Sequence, residues 1–170
     1  AVSRAKPKVA DYPFTTLTPV LGVVYVDQTE FVIADIPGLI EGAHDGAGLG
    51  HRFLAHVERC GALLHLIDCT EDDIVGAWKT IRGEIEAYGG GLAEKPEILA
   101  LNKVDAIPDE FIAEKRAELE QASGREVIAI SGATGGGVDE ALRLLRKTIE
   151  VNRAETLAAE TEQVAVSWTP

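Results

Sequence analysis

The sequence predicts an α/β domain in which a mostly parallel β-sheet is covered by helices on both faces. Short apolar runs of buried-strand length alternate with stretches of helical periodicity through the second half of the chain. The breaks between them carry punctuation such as Gly89-Gly90-Gly91 and Pro108. At 170 residues, the chain is the size of one unit able to bury a single core.

Taken in order, Leu21-Gly22-Val23-Val24-Tyr25-Val26 and Glu30-Phe31-Val32-Ile33-Ala34-Asp35 are β-rich. The polar turn Asp27-Gln28-Thr29 separates them, so an antiparallel hairpin is expected. Leu49, Phe53, Leu54 and Val57 then recur at helical spacing after a glycine-rich stretch. The run Ala62-Leu63-Leu64-His65-Leu66-Ile67-Asp68 reads as a buried strand. Ile74 to Tyr88 reads as a helix closed by three glycines, and Ile98-Leu99-Ala100-Leu101 as the next strand. A charged helix from Asp109 to Ala122 starts near Pro108, and Val127-Ile128-Ala129-Ile130 is the last strand. The final helix is expected from about Val138 to Val151, with Leu142, Leu145 and Ile149 on one face. Residues 1–153 are expected to form the domain and residues 154–170 a polar C-terminal tail.

Charged residues make up 26% of the chain, and no apolar run approaches the ~18 residues that a membrane-spanning helix needs, which excludes a helical membrane span as a partner-free expectation. Cys60 and Cys69 suggest neither a disulfide framework nor a zinc site, and a reducing cytoplasm fits them. A net charge of -12 opposes unspecific attraction to nucleic acid or anionic lipid, so any RNA contact must be local. His44, His51, His56 and His65 have no carboxylate or cysteine company at ligand spacing and are expected to face solvent or core. The absence of methionine and of a signal peptide before Ala1 leads us to expect a fragment.

In sheets of this kind, ligands bind beyond the carboxyl ends of the strands, so the residues that follow the strands carry the functional reading. Asn102-Lys103-Val104-Asp105 begins where a strand ends. A carboxylate at Asp105 can accept two hydrogen bonds from guanine N1–H and its exocyclic amine, a donor pair adenine lacks. Asn102 can hold the loop, and the alkyl stem of Lys103 can lie along a ring face. Ser131-Gly132-Ala133 follows the next strand, where small residues let backbone N–H groups approach a carbonyl oxygen. Asp35-Ile36-Pro37-Gly38 follows a third strand; its aspartate can hold Mg²⁺ through water while the glycine N–H faces a terminal phosphate. Upstream, Tyr12-Pro13-Phe14-Thr15-Thr16-Leu17 offers hydroxyls, one of which could complete an octahedral Mg²⁺ shell. Each motif alone also reads as an ordinary turn; the four in this order favour a GTPase domain.

Asp11-Tyr12-Pro13-Phe14-Thr15-Thr16-Leu17-Thr18-Pro19 with Leu21-Gly22-Val23-Val24 resembles the first switch of the Obg family of GTPases. Asp35-Ile36-Pro37-Gly38-Leu39-Ile40-Glu41-Gly42-Ala43, continuing into Gly46-Ala47-Gly48-Leu49-Gly50 and Phe53-Leu54, resembles the second switch and its helix. The resemblance implies a P-loop NTPase fold, a Ras-like G domain here lacking its first strand and phosphate-binding loop. It implies that Thr16 is the direct Mg²⁺ ligand and Asp35 a ligand through water, with Thr16, Asp35 and Gly38 the catalytic set. Phe14, Thr15, Thr16, Leu17 and Thr18, with Asp35, Ile36, Pro37 and Gly38, would surround the γ-phosphate. Asn102, Lys103, Val104 and Asp105, with Ser131, Gly132 and Ala133, would hold guanine. It further implies hydrolysis of GTP to GDP, work with the large ribosomal subunit during its assembly, and a stress-response link through guanine tetraphosphate. A cytoplasmic monomer is expected.

Two departures from the family pattern bear on activity. The glycine-rich loop ending in Lys-Ser does not precede the first switch, so most of the electrostatic stabilisation of phosphoryl transfer is missing and the isolated chain is expected to be inactive. In the related fold the first strand lies between those ending at Asp35 and Asp68, so two unpaired edges and poor folding are expected. Leu39 stands where many small GTPases place a water-orienting glutamine and cannot polarise water. Three functions compete: a Mg²⁺-dependent GTP hydrolase, a nucleotide-dependent ribosome-binding switch with little hydrolysis of its own, and an inert remnant.

Overall fold

The computed structural model describes residues 20–35, 60–89 and 91–166. Strands β1 (Val20–Val26) and β2 (Thr29–Asp35) form the expected antiparallel hairpin, in register from Val26 opposite Thr29 to Val20 opposite Asp35. The ladder closes at Thr29, so the turn is the two residues Asp27 and Gln28, not three. Both have positive φ, 46° and 68°, the mirror-image turn whose twist matches that of the strands. Arg143 and Arg146 reach the Asp27 carboxylate, at 3.4 Å and 3.7 Å, and tie this strained turn to the last helix.

Strands β3 (Leu63–Asp68), β4 (Glu97–Asn102) and β5 (Val127–Ala129) form a parallel sheet in that order. Among the described residues no ladder joins the hairpin to this sheet; side chains join them instead. Phe31 and Ile33 of β2 pack against the core cluster to which β4 contributes Ile98 and Ala100 and β5 Ile128. The helix expected around Leu49 to Val57 lies outside the described residues.

Helices α1 (Ile74–Tyr88), α2 (Asp109–Ser123) and α3 (Val138–Val166) complete the layers. The alternation of a strand divides β4 between two cores. Leu99 and Leu101 face Ile74 of α1, Leu119 of α2 and Ile67, Cys69 and Val127. Ile98 and Ala100 face Ala141 and Leu145 of α3, with Ile128 and Ile130. Covered on both sides, β4 is apolar nearly throughout, as a central parallel strand must be.

Local chemistry sets the helix ends. The Asp73 side chain accepts from the Gly76 N–H at 2.7 Å and caps α1, and Gly89 and Gly124, with φ of 73° and 66°, end α1 and α2 in backbone that other residues rarely adopt. Helix α3 runs to Val166, well past the end expected near Val151. Its last half holds no glycine or proline and is rich in Ala and Glu, good helix formers, so polarity alone did not end the helix. Asn152 donates to the Gly61 carbonyl at 2.7 Å and anchors α3 beside the entry to β3.

At the amino end of β4, the Glu97 side chain is wholly buried. It accepts from His65 Nδ1 at 2.9 Å and from Arg82 Nη1 at 3.4 Å, while Arg125 Nη1 donates to its backbone carbonyl at 3.2 Å. Burial pushes the Glu97 carboxyl up, but His65, Arg82 and Arg125 outweigh it and hold it below the usual range. His65 therefore has the core role expected for it.

Candidate functional site

The opposite, carboxyl end of the sheet brings the expected base-reading residues together. Parallel pairing of β4 and β5 is extended by Ile130 N–H to Leu101 O at 2.8 Å and Val104 N–H to Ile130 O at 3.3 Å. Those bonds lay the segment after β5 against the segment after β4. Asn102 is the clamp between three strands. Its carbonyl accepts from the Cys69 N–H at 3.0 Å, and its Oδ1 accepts from the Gly132 N–H at 3.0 Å.

Lys103 takes left-handed backbone, φ 65° and ψ 30°, and turns the chain out of the strand direction. A 3-10 turn, Val104–Ala106, follows, closed by Ala106 N–H to Lys103 O at 2.9 Å. Val104 packs its side chain on the core of the α1/α2 face, so its part in the loop is to anchor it. Asp105, on the same turn, is exposed.

Ser131 donates from Oγ to Asp105 Oδ1 at 2.5 Å. Ser131 is buried, and its Oγ also accepts from the Thr134 N–H at 3.0 Å. Its backbone is held by Ser131 N–H to Gly136 O at 2.8 Å and Gly135 N–H to Ser131 O at 2.9 Å. Gly132 and Ala133 are exposed on this loop. One carboxylate oxygen of Asp105 is thus fixed by the protein, and among the described residues no hydrogen bond occupies the other. A fixed, exposed acceptor beside backbone N–H groups suits a planar heterocycle carrying adjacent donors and a carbonyl.

Two further residues belong to this end of the sheet and were missed from the sequence. Asp68 closes β3 opposite Asn102, and its Oδ2 lies 2.5 Å from Lys103 Nζ. Its Oδ1 accepts from the Thr70 N–H at 2.9 Å and from Thr70 Oγ1 at 2.7 Å. The Lys103 ammonium, then the Thr70 hydroxyl, hold the Asp68 carboxyl down at about 2, and Asp68 in turn raises Lys103. The rule that strand ends carry ligands could have singled out Asp68 at its place after Leu66-Ile67.

Asp35 is exposed at the carboxyl end of β2. Phe14, Thr15, Thr16, Leu17, Thr18, Ile36, Pro37 and Gly38, together with Leu39, lie outside the described residues. Among the described residues no group of three His, Cys, Asp or Glu side chains could hold a metal ion, and no helix is long and apolar enough to cross a membrane.

Comparison with known proteins agrees with this architecture. Residues 1–103 match the family described as 50S ribosome-binding GTPase. The chain is 63% identical over 152 residues to GTPase Obg of Acidiphilium cryptum (strain JF-5), a match covering 89% of this chain and 46% of that protein. The chain therefore spans about half the length of this relative. Among solved structures, it is similar to nucleolar GTP-binding protein 1 from Plasmodium falciparum, with a TM-score of 0.64, 17% identity, and coverage of 89% of this chain and 80% of that one. It is also similar to the cytosolic domain of the T. maritima FeoB iron transporter in its apo form, with a TM-score of 0.61, 21% identity, and coverage of 87% and 56%. At these identities the structural likeness speaks for the α/β fold alone; it is the family match that makes it a P-loop GTPase domain.

Proposed function

This chain belongs to the Obg family of 50S ribosome-binding GTPases, and from that premise we propose that it forms the guanine-nucleotide-binding part of a Mg²⁺-dependent enzyme hydrolysing GTP to GDP. The observation that carries the proposal is the Ser131–Asp105 hydrogen bond, which fixes the base-reading carboxylate at the end of the sheet. Asp105 accepts from guanine N1–H and the 2-amino group, the Ala133 N–H approaches O6, Asn102 holds the two loops together by accepting the Gly132 N–H, and the Lys103 stem lies along the ring. An adenine would present the N1 lone pair and a C2–H to Asp105, with neither N–H donor, leaving that carboxylate unpaired.

On the phosphate side we assign Phe14, Thr15, Thr16, Leu17 and Thr18, with Asp35, Ile36, Pro37 and Gly38, to the surroundings of the γ-phosphate. Mg²⁺ is held directly by Thr16 and through water by Asp35. The described part of this donor set fits that ion: Asp35 is an exposed, hard oxygen donor at a strand end. When bound, Mg²⁺ supplies neutralisation of charge on the phosphate oxygens. Leu39 offers no group to orient water, so the attacking water is positioned by another residue. The same leucine favours a second reading, a slow switch whose nucleotide state sets affinity for the large ribosomal subunit, with hydrolysis as its timer. The proposal extends to work in assembly of that subunit and in the stress response.

The decisive experiment is Asp105→Asn in the full-length protein. Exchanging a carboxylate that accepts two hydrogen bonds for an amide costs GTP about 3 kcal/mol, roughly 150-fold in affinity. Xanthine nucleotide, whose 2-oxo group accepts from the new amide, gains correspondingly. Unaltered GTP affinity, or equal turnover of ATP and GTP by the unmutated protein, rejects the guanine site.

A further inference from the structure

We infer that Asp68 is a positioning residue for the base-binding loop: clamped by Thr70, its carboxylate aims the Lys103 side chain along the face of the bound guanine. The inference rests on the guanine reading above and adds a residue outside the Asn102–Asp105 and Ser131–Ala133 segments. Parallel pairing sets Asp68 opposite Asn102, one residue before Lys103. The left-handed backbone of Lys103 then brings its side chain back toward the end of β3, where Nζ meets Asp68 Oδ2 at 2.5 Å. The carboxylate cannot swing away, because Thr70 N–H and Oγ1 bind its other oxygen at 2.9 Å and 2.7 Å. Lys115 of α2 donates to the Glu71 carbonyl at 2.5 Å and secures the loop that carries Thr70.

An isolated exposed ion pair is worth little, since water screens it and two flexible side chains must be ordered. Here the ordering is already done. The acceptor is fixed at both oxygens and the lysine at its backbone, so the remaining stem is held in one of its many rotamers before the ligand arrives. The Lys103 side chain is still 59% exposed, which leaves its methylenes available to a ring. A base laid on that stem excludes water from the pair and strengthens it. Among the described residues, Glu71 also raises Lys103, and Lys115 reaches the Glu71 backbone beside the pair.

The test is a double-mutant cycle read as GDP affinity in the full-length protein, with nucleotide-free melting recorded for every variant. Asp68→Asn is expected to weaken GDP about tenfold, and Asp68→Glu to recover most of that loss. In a Lys103→Met background, Asp68→Asn is expected to cost nothing further, because the group it aims is gone. Thr70→Val keeps the charge and the backbone N–H bond but removes the hydroxyl from Asp68 Oδ1, loosening the carboxylate; about a threefold loss that also vanishes in the Lys103→Met background is expected, and this arm stands if Asp68→Asn does not fold. Unchanged GDP affinity in Asp68→Asn, or an equal loss with and without Lys103, overturns the inference. Asp105→Asn separates the two levels: if it switches to xanthine nucleotide while Asp68→Asn is silent, only the role of Asp68 falls; if it changes nothing, both fall.

Discussion

Removing the Ser131 hydroxyl is the sharpest probe of how the carboxylate proposed to read the base is held. In Ser131→Ala the loop keeps its backbone bonds, Ser131 N–H to Gly136 O and Gly135 N–H to Ser131 O, so its path survives. Two contacts go: the 2.5 Å bond to Asp105 Oδ1 and the 3.0 Å bond accepted from the Thr134 N–H. A hydrogen bond to a charged acceptor is worth about 1.5–3 kcal/mol. Asp105 is exposed, so water replaces part of the lost donor and the lower end applies, about 1.5 kcal/mol or roughly tenfold in nucleotide affinity. Thr134 is exposed as well, so its N–H is rehydrated and stability falls by about 1 kcal/mol, a shift of roughly 2–4 °C for a domain of this size. Titration of the full-length protein with GDP, alongside thermal melting, reads both. Unchanged GDP affinity in a folded Ser131→Ala protein would refute the claim that Ser131 orients Asp105. A loss of tens of degrees would instead mean that Oγ is structural first.

Two further predictions concern the frame. Glu97→Ala leaves His65, Arg82 and Arg125 facing an empty buried site and should cost about 3 kcal/mol by denaturant unfolding at neutral pH, the low end for a broken buried ionic cluster because Arg125 can turn to water. Because the folded-state carboxyl is held below its usual value, its contribution is complete above the unfolded value of about 4 and is lost as pH falls through the lowered one. The gap between wild type and Glu97→Ala should therefore shrink on acidification, and a gap that stays constant or widens would contradict the assignment. Gly137→Ala should destabilise by about 2 kcal/mol or more, since φ is 71° there and a Cβ would overlap the Ala129 carbonyl oxygen; a melting temperature within about 1 °C of wild type would show that the approach is looser than described.

Much of the frame was legible because its signals are local. A strand buried on both faces is apolar on both of its faces along its middle, and Ile98-Leu99-Ala100-Leu101 announces β4 without reference to any partner. The close of α1 works the same way: Gly89, first of three glycines, acts within one turn of the helix it ends. The end of α3 was misread for a related reason. A polar segment reads as a tail, while the Ala and Glu that carry it past Val151 act through backbone propensity, which apolar periodicity does not report.

The sequence alone determined the α/β class, the order of strands and helices, and the residues standing at strand ends where a parallel sheet presents its ligands. Only the tertiary structure decided which of them touch. Ser131 with Asp105, Lys103 with Asp68, and Glu97 with His65 are partners 26, 35 and 32 residues apart. No periodicity spans such intervals; each pair exists because neighbouring parallel strands bring distant segments to one end of the sheet.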